Sequence, residues 1–587
     1  EPRSIICDYN PADETMTMYM SVQCPHMSKN LFATHLGLNE DKVRVICKDV
    51  GGSFGIKIHT YPDEMTAGAL SVMLGRPVKF IADRLESFVS DIHARDHIVK
   101  ARMALAENGE LLALEMHDLT GIGPYSAYPR TSGIELNQVL NLTCGPYKHK
   151  HYRAHGQAVF QNKGLMCQYR GVGHPIAIAV GEHLLDEGAR KLGLDPVEVR
   201  MNSFIDEDAY PYTSPSGAIY ERQSHHQCME KLVEMCDYKA FRVEQAKLRK
   251  QGIYRGIGFV SLIEVTNPSP AFYGIGGARI ASQDGCTIRM DPTGSITCSI
   301  SVTEQGQGTE TVIAQVAASA VGVDIENVRV ITGDTDTVPY GGGTWASRGA
   351  GIGGEAALQA GKELRKNILK VAGAILQADP DSLDICAGQI IDMGTTVERM
   401  ALAELGRIAY FRGDTLPDGV QPELIATKHF VSKDYPFVYT NAAHACVLEV
   451  DTDTGLVKLL KYWVVEDCGT VINPQLVAEQ TRGGVVQGIG PALYEECMYT
   501  DEGQLVNGSL ADYLLPMAAE MPDIVVGHVV TPTETSELGA KGVGEAGTAG
   551  APSAIMNAIN DALSPMETRV THMPFTPDKI LRALGKI

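Results

Sequence analysis

The residues best suited to chemistry lie in short glycine clusters: Gly51-Gly52-Ser53-Phe54-Gly55, Gly306-Gln307-Gly308, Gly341-Gly342-Gly343-Thr344, the run 349–354, and Gly542-Val543-Gly544-Glu545-Ala546-Gly547. Glycine makes up 60 of 587 residues, above the usual share of about 7%. The excess sits in tight loops rather than in a linker. A backbone without side chains can come close to a ligand, and its bare amides can hold an anion. Gln23, Gln305 and Gln307 add amide donors, and Thr344 and Ser347 add hydroxyls. Taken singly, each cluster is a plain turn more often than a ligand loop, and the sequence has no G-x-x-x-x-G-K-[ST] nucleotide loop.

The elements that must position these loops are partly repeated. Leu36-Gly37-Leu38 followed by Lys42-Val43-Arg44-Val45-Ile46 resembles Val321-Gly322-Val323 followed by Asn327-Val328-Arg329-Val330-Ile331. Alternating apolar residues predict a strand before each copy, at 16–22 and 296–302, then a loop with Gln23 or with Gln305 and Gln307, then a helix. A Gly-rich loop follows each copy. Two related strand-loop-helix-strand units predict one shared site, since two copies are too few for a repeat array. Chance similarity of two amphipathic units is the alternative. Further helices are predicted at 63–74, 175–192 and 552–563. The last two have Pro in the first turn, where its missing N–H costs little, and each follows a Gly loop, so its N-terminal amides face whatever the loops surround. A charged, exposed helical segment is read over 231–252, with a domain boundary near 250 that divides the chain into 1–250 and 251–587.

Composition narrows the class. At 44% hydrophobic residues the chain can bury several cores, and no apolar run is long enough to span a membrane. Fifty Lys and Arg against 71 Asp and Glu leave a net charge of -21, which repels nucleic acid and anionic membranes. Thirteen scattered Cys form no C-x-x-C pair, which disfavours structural zinc and iron-sulfur ligation in this chain. The odd count suits a reducing cytoplasm. The chain opens on Glu1 with no initiator Met and no secretory h-region, which reads as a fragment or a processed chain.

In order, the sequence carries Gln23, Val50-Gly51-Gly52-Ser53-Phe54-Gly55, Gln168-Tyr169-Arg170-Gly171-Val172-Gly173-His174-Pro175, the stretch 304–308, and Lys541-Gly542-Val543-Gly544-Glu545. This series resembles the molybdenum hydroxylases of the xanthine oxidase, aldehyde oxidase and carbon monoxide dehydrogenase family over essentially the whole chain. The resemblance is strongest to bacterial N-heteroaromatic dehydrogenases of the quinoline and nicotine type. It implies an elongated α+β, two-domain molybdenum-cofactor-binding fold with an internal duplication, and a family N-terminal small domain lying outside this sequence. It also implies that a pterin dithiolene holds the molybdenum, with no direct protein ligand, and that the carboxylate closing the G-V-G-E motif, Glu545, is the general base. Such a base removes a proton as oxygen attacks an electron-poor carbon, and the glycines around it allow close approach with few competing donors.

By the same resemblance Gln23 lies beside the apical oxo ligand, the amides of Phe54 and Gly55 in the loop Gly52-Ser53-Phe54-Gly55 meet the metal's ligand sphere, and Arg170 lies close to the metal. Gln305, Gly306, Gln307, Gly343, Thr344, Trp345, Ala346, Ser347, Arg348 and Gln480, with Gly542, Val543 and Gly544, match the pterin and phosphate contacts. The cofactor is expected in its cytosine dinucleotide form. Read without the family, Gln23 is a surface turn, Phe54 ordinary core, Arg170 half of an ion pair, the run 343–348 a solvated loop and Glu545 a helix N-cap.

The implied substrate pocket is formed by Ile58, Gln138, Tyr169 and Val172. Purine-oxidising members carry a Glu where Ile58 stands and an Arg near Gln138, and no Cys follows Arg170 as in copper-containing carbon monoxide dehydrogenases. A neutral ring or an aldehyde suits these residues better. The reading is hydroxylation of an N-heteroaromatic carbon, with an aldehyde oxidoreductase and a non-catalytic scaffold subunit as rivals. The family implies a small subunit with [2Fe-2S] clusters and a medium FAD subunit as partners, a separate chain for the small domain if it is not part of this one, and a dimer of such heteromers.

Overall fold

The computed structural model describes residues 1–273 and 279–587. The repeated sequence folds into two sheets of matching order. One runs Val43–Ile46, Thr15–Met20, Ser4–Asn10, Val78–Ile81; the other runs Val328–Ile331, Ile296–Ile300, Asp284–Met290, Ile425–Phe430. In each, the two strands flanking the repeated helix are parallel, with Met16 opposite Val43 and Ile296 opposite Val328. A parallel pair needs a crossover, and the helices Pro25–Leu36 and Thr309–Val321 supply it. Each ends on a left-handed glycine, Gly37 at φ 69 and Gly322 at φ 94, a conformation that costs glycine nothing. Period-two burial of Met16, Met18 and Met20, and of Ile296, Cys298 and Ile300, turns one face of each sheet onto its helix.

The two units meet edge to edge. Arg44 Nη2 donates to Asp334 Oδ2 at 2.7 Å, the Cys47 amide to the Gly333 carbonyl at 2.7 Å and the Thr335 amide to the Val45 carbonyl at 3.1 Å. The Gln loop and the Gly loop of both units are thereby brought together.

A third sheet, ordered Tyr254–Thr266, Val438–Val450, Val457–Asp467, Ile524–His528, is covered on both faces. On one face lies the helix Ala546–Leu563, admitted by Gly256 and Gly258, where a Cβ would stand 1.9 Å from the Ala558 carbonyl oxygen and 2.1 Å from that of Ala554. The other core joins Leu185, Phe204 and Leu232 to Ile257, Phe259, Ala443 and Val465. It therefore draws residues from both sides of position 250.

Two helices differ from the sequence expectation. The last one begins at Ala546, not near Pro552, which lies inside it. The segment 546–551 is wholly buried, with Gly547 and Ala551 against Gly484 and Gly488 of the helix Pro474–Leu493, so packing rather than propensity sets the start. The stretch 231–252 forms parts of two helices, His225–Met235 and Tyr238–Arg249, parted at Asp237, whose φ is 44. All thirteen cysteines are free and, except for Cys386 and Cys497, buried, as small apolar residues usually are. Among the described residues no helix is long and apolar enough to cross a membrane.

Candidate active site

The loops of all three sheets surround one cavity of about 300 Å³. Every residue to which the resemblance assigns a catalytic, cofactor or substrate role lines it except Gly52 and Gly343. Those two act from behind: a Cβ on Gly52 would stand 2.7 Å from the Phe54 ring, and one on Gly343 would stand 2.3 Å from the Gln23 carbonyl oxygen.

Gln23 ends the loop after Thr15–Met20, and its amide is engaged on both sides. Its Nε2 donates to the Thr344 carbonyl at 2.9 Å and its Oε1 accepts the Gly55 amide at 2.9 Å. One Nε2 hydrogen is left to face the cavity. Phe54 is 48% exposed, at φ 54, so it is cavity wall and not core.

Arg170 is no ion-pair half. Its guanidinium donates to the Gly544 carbonyl, to Gln487 Oε1 at 3.0 Å, and to the Gln480 carbonyl and Oε1 at 3.2 Å each. It thus ties its own loop to the motif that holds Glu545 and to the helix Pro474–Leu493. Burial pulls its pKa down, against Tyr169, Glu545 and Glu264, which act the other way.

Glu545 occupies the N-cap position of Ala546–Leu563, but its side chain does not cap. Oε1 accepts the Gly171 amide at 2.8 Å and Oε2 accepts the Ser347 hydroxyl at 3.1 Å. The expectation of few competing donors is corrected here: two fixed donors orient the carboxylate. The glycines serve this arrangement, since a Cβ on Gly542 would stand 2.0 Å from the Ser347 carbonyl oxygen and one on Gly544 would stand 2.8 Å from Ser347 Oγ.

His174, to which the sequence reading gave no role, fixes the loop beneath Glu545. Its Nε2 can only accept the Val265 amide, 3.1 Å away, so Nδ1 carries the hydrogen and donates to the Gly171 carbonyl at 2.8 Å. Burial lowers its pKa, against Glu545, so the ring is held neutral.

In the second Gln loop, Glu304 Oε1 accepts the amides of Gln305, Gly306 and Gly308 at 3.0, 2.8 and 3.1 Å, and Oε2 accepts that of Glu310 at 3.0 Å. The chain's own carboxylate therefore caps the helix Thr309–Val321, and these amides shape the loop. Gln307 Nε2 donates to the Thr303 carbonyl at 2.9 Å and to Thr309 Oγ1 at 2.7 Å, and Gln305 Nε2 to Thr303 Oγ1 at 2.9 Å. Trp345 Nε1 donates to the Gly342 carbonyl at 3.0 Å, while Arg348, fully buried, pairs with Asp284 and lies 4.9 Å from the Trp345 ring centroid.

The cavity wall also contains buried donors with no hydrogen-bond partner among the described residues, Ser53 Oγ and Gln168 Nε2, and Lys541, whose Nζ has the Glu221 carboxylate 4.0 Å away but no hydrogen bond. A buried donor left unpaired is costly. These groups, with the neutral amides around them, fit a cofactor that bears oxyanions. Gln168, His174 and Lys541 stood inside the quoted motifs without a role assigned to them, whereas Gln487 lies in an ordinary helical run and was not separable from its neighbours.

Two family models, each describing a molybdopterin cofactor-binding domain, match residues 1–204 and 231–522. The large subunit of nicotine 6-hydroxylase from Paenarthrobacter nicotinovorans is 35% identical over 584 residues, covering 99% of this chain and 71% of that protein. The carbon monoxide dehydrogenase large chain of Hydrogenophaga pseudoflava is 30% identical, covering 99% of this chain and 72% of its own. Among solved structures, quinoline 2-oxidoreductase from Pseudomonas putida 86 superposes over 100% of this chain and 74% of its own, with a TM-score of 0.93 at 35% identity. The chain belongs to the xanthine oxidase family of molybdenum hydroxylases, as a molybdopterin-binding large subunit.

Proposed function

We propose that this subunit hydroxylates an electron-poor carbon of an N-heteroaromatic ring, with Glu545 as the general base. The observation that carries the reading is the carboxylate itself: half-buried at the cavity wall and held at both oxygens by Gly171 and Ser347. A base held this way spends no reorganisation when it takes up a proton. The bound molybdenum–pterin would supply water-derived oxygen and take up the two electrons released. Gln23, the Phe54 and Gly55 backbone, Ser53, Gln168, the loop 343–348 and Lys541 would hold it, in a form we take to be the cytosine dinucleotide.

The substrate reading rests on the remaining wall. Ile58, Ile134, Val172 and Tyr169 are apolar or aromatic and line the same cavity, which suits a flat ring. Gln138 is the polar exception. Its carbonyl is committed to the Gly173 amide at 3.1 Å, leaving its NH2 as a donor for a ring nitrogen. Relatives named for nicotine and quinoline favour the same class.

The electrons must leave, and the sequence offers no cluster or flavin motif to drain them. We infer a small [2Fe-2S] subunit and a medium FAD subunit, the family's small domain as part of a longer chain or as its own, a dimer of these heteromers, and a cytoplasmic setting. Native mass spectrometry with molybdenum, iron and flavin analysis, followed by turnover on a panel of N-heteroaromatics and aldehydes, tests the whole reading. Turnover confined to aldehydes would replace the ring substrate, and a native complex free of molybdenum and pterin would mean a scaffold.

A further inference from the structure

The strand Tyr254–Thr266 is buried along nearly its whole length, yet carries Glu264. Two strands away Val457–Asp467 carries Glu466. Glu264 pairs with Thr440 and Glu466 with Ala442 across Val438–Val450, so their side chains share the sheet face that meets the helix beginning at Ala546. Both are 0% exposed, and among the described residues neither oxygen of either has a hydrogen-bond partner of normal geometry. An ionised carboxylate in that setting is among the costliest groups a protein can bury.

The groups facing Glu264 are Glu545, Ser347, Arg170, the Ala546 amide and, behind it, Glu466. Arg170 is spent on Gly544, Gln487 and Gln480. Ser347 faces both Glu264 and Glu545 and has one hydroxyl hydrogen, which goes to Glu545 Oε2 at 3.1 Å. Glu264 can therefore complete the serine's hydrogen bonding only as a donor to Oγ, which requires its own proton.

We propose that Glu264 is a neutral carboxylic acid and a positioning residue for the base, donating to Ser347 Oγ so that the Ser347 hydroxyl stays on Glu545 and the cluster's negative charge rests on Glu545 alone. The proposal rests on the reading of Glu545 as base. Burial first, and then the Glu545 charge, push Glu264 up to about 8; burial likewise pushes Glu466 well above the ordinary carboxylate range. Such a pair of acids, one ionised and one held neutral by its surroundings, divides the roles of acceptor and donor. The sequence signal is a lone acidic residue inside an apolar strand.

The test uses the purified, molybdenum-loaded complex. Infrared difference spectra between wild type and Glu264→Gln should contain a protonated carboxyl band at about pH 7 that titrates away near pH 8. With molybdenum content unchanged, Glu264→Leu should lower kcat by about tenfold or more, the scale of a lost hydrogen bond to a charged group, and Glu264→Gln, which can still donate, should recover most of it. The wild-type kcat profile should show an alkaline inflection that the Glu264→Gln profile lacks. Absence of the carboxyl band, or a Gln variant as impaired as the Leu variant, overturns the proposal. If the Leu variant does not fold, the infrared comparison decides alone. An active Glu545→Gln enzyme would instead refute the base, leaving the Glu264 band to be scored separately.

Discussion

Gln23 and Thr344, 321 residues apart, exchange two hydrogen bonds: Gln23 Nε2 donates to the Thr344 carbonyl at 2.9 Å, and the Thr344 amide donates to the Gln23 carbonyl at 3.1 Å. This reciprocal pair fastens the Gln loop of the first unit to the Gly loop of the second. The cavity is built on that joint.

Gly343 sits in the joint at φ +75, and Gly343→Val would set a Cβ 2.3 Å from the Gln23 carbonyl oxygen. Backbone cannot yield as a flexible side chain can. The variant should lose molybdopterin occupancy, measured by pterin and molybdenum content, because the Gln23 amide moves. Full loading would show that the joint is dispensable.

Changing Glu545→Gln preserves size but removes the proton acceptor. Turnover should fall by at least about a hundredfold, the scale of general-base catalysis. Cofactor content should stay normal, since the side chain's contacts are to Gly171 and Ser347. Steady-state turnover normalised to molybdenum checks this, and near-wild-type rates would remove Glu545 from the chemistry.

For Arg170→Lys the charge stays and the fork is lost. A lysine ammonium cannot reach Gly544, Gln487 and Gln480 together. The acceptors left unpaired should cost about 2–4 kcal/mol. Thermal unfolding and cofactor content should both decline, and a variant matching wild type in both would mean that the staple is not needed.

His97 predicts a pH-dependent contribution to stability. Burial opposes its charged form, but the Asp118 hydrogen bond and Glu135 outweigh it and push His97 to about 9. A raised folded pKa stabilises fully below the unfolded value, about 6.5, and the contribution is lost as pH rises through about 9. His97→Gln should therefore lower the melting temperature more at about pH 6 than at about pH 9.5. Equal losses at both would mean that the imidazole acts only by packing.

Much of this arrangement was legible in the chain. Period-two and helical patterns, with Gly37 and Gly322 as stops, are local rules, and the matching L-G-L and V-G-V segments, each followed by V-R-V-I, pointed to two related units. The glycine motifs and Gln23 pointed to one site for the same reason: loops that need bare backbone are written in residue type. What the sequence could not determine is long-range. The start of the helix Ala546–Leu563 depends on Gly484 and Gly488 of another helix, not on the propensity of Ala-Gly-Thr-Ala-Gly-Ala. The engagement of Gln23 and Arg170 with Thr344 and Gly544, the neutral ring of His174 and the capping of its own helix by Glu304 are hydrogen-bond choices made only when distant loops meet. Glu264 marks the division most sharply. In the sequence it is one acidic residue among apolar ones; its charge state depends on burial and on Glu545, which only the folded chain brings beside it.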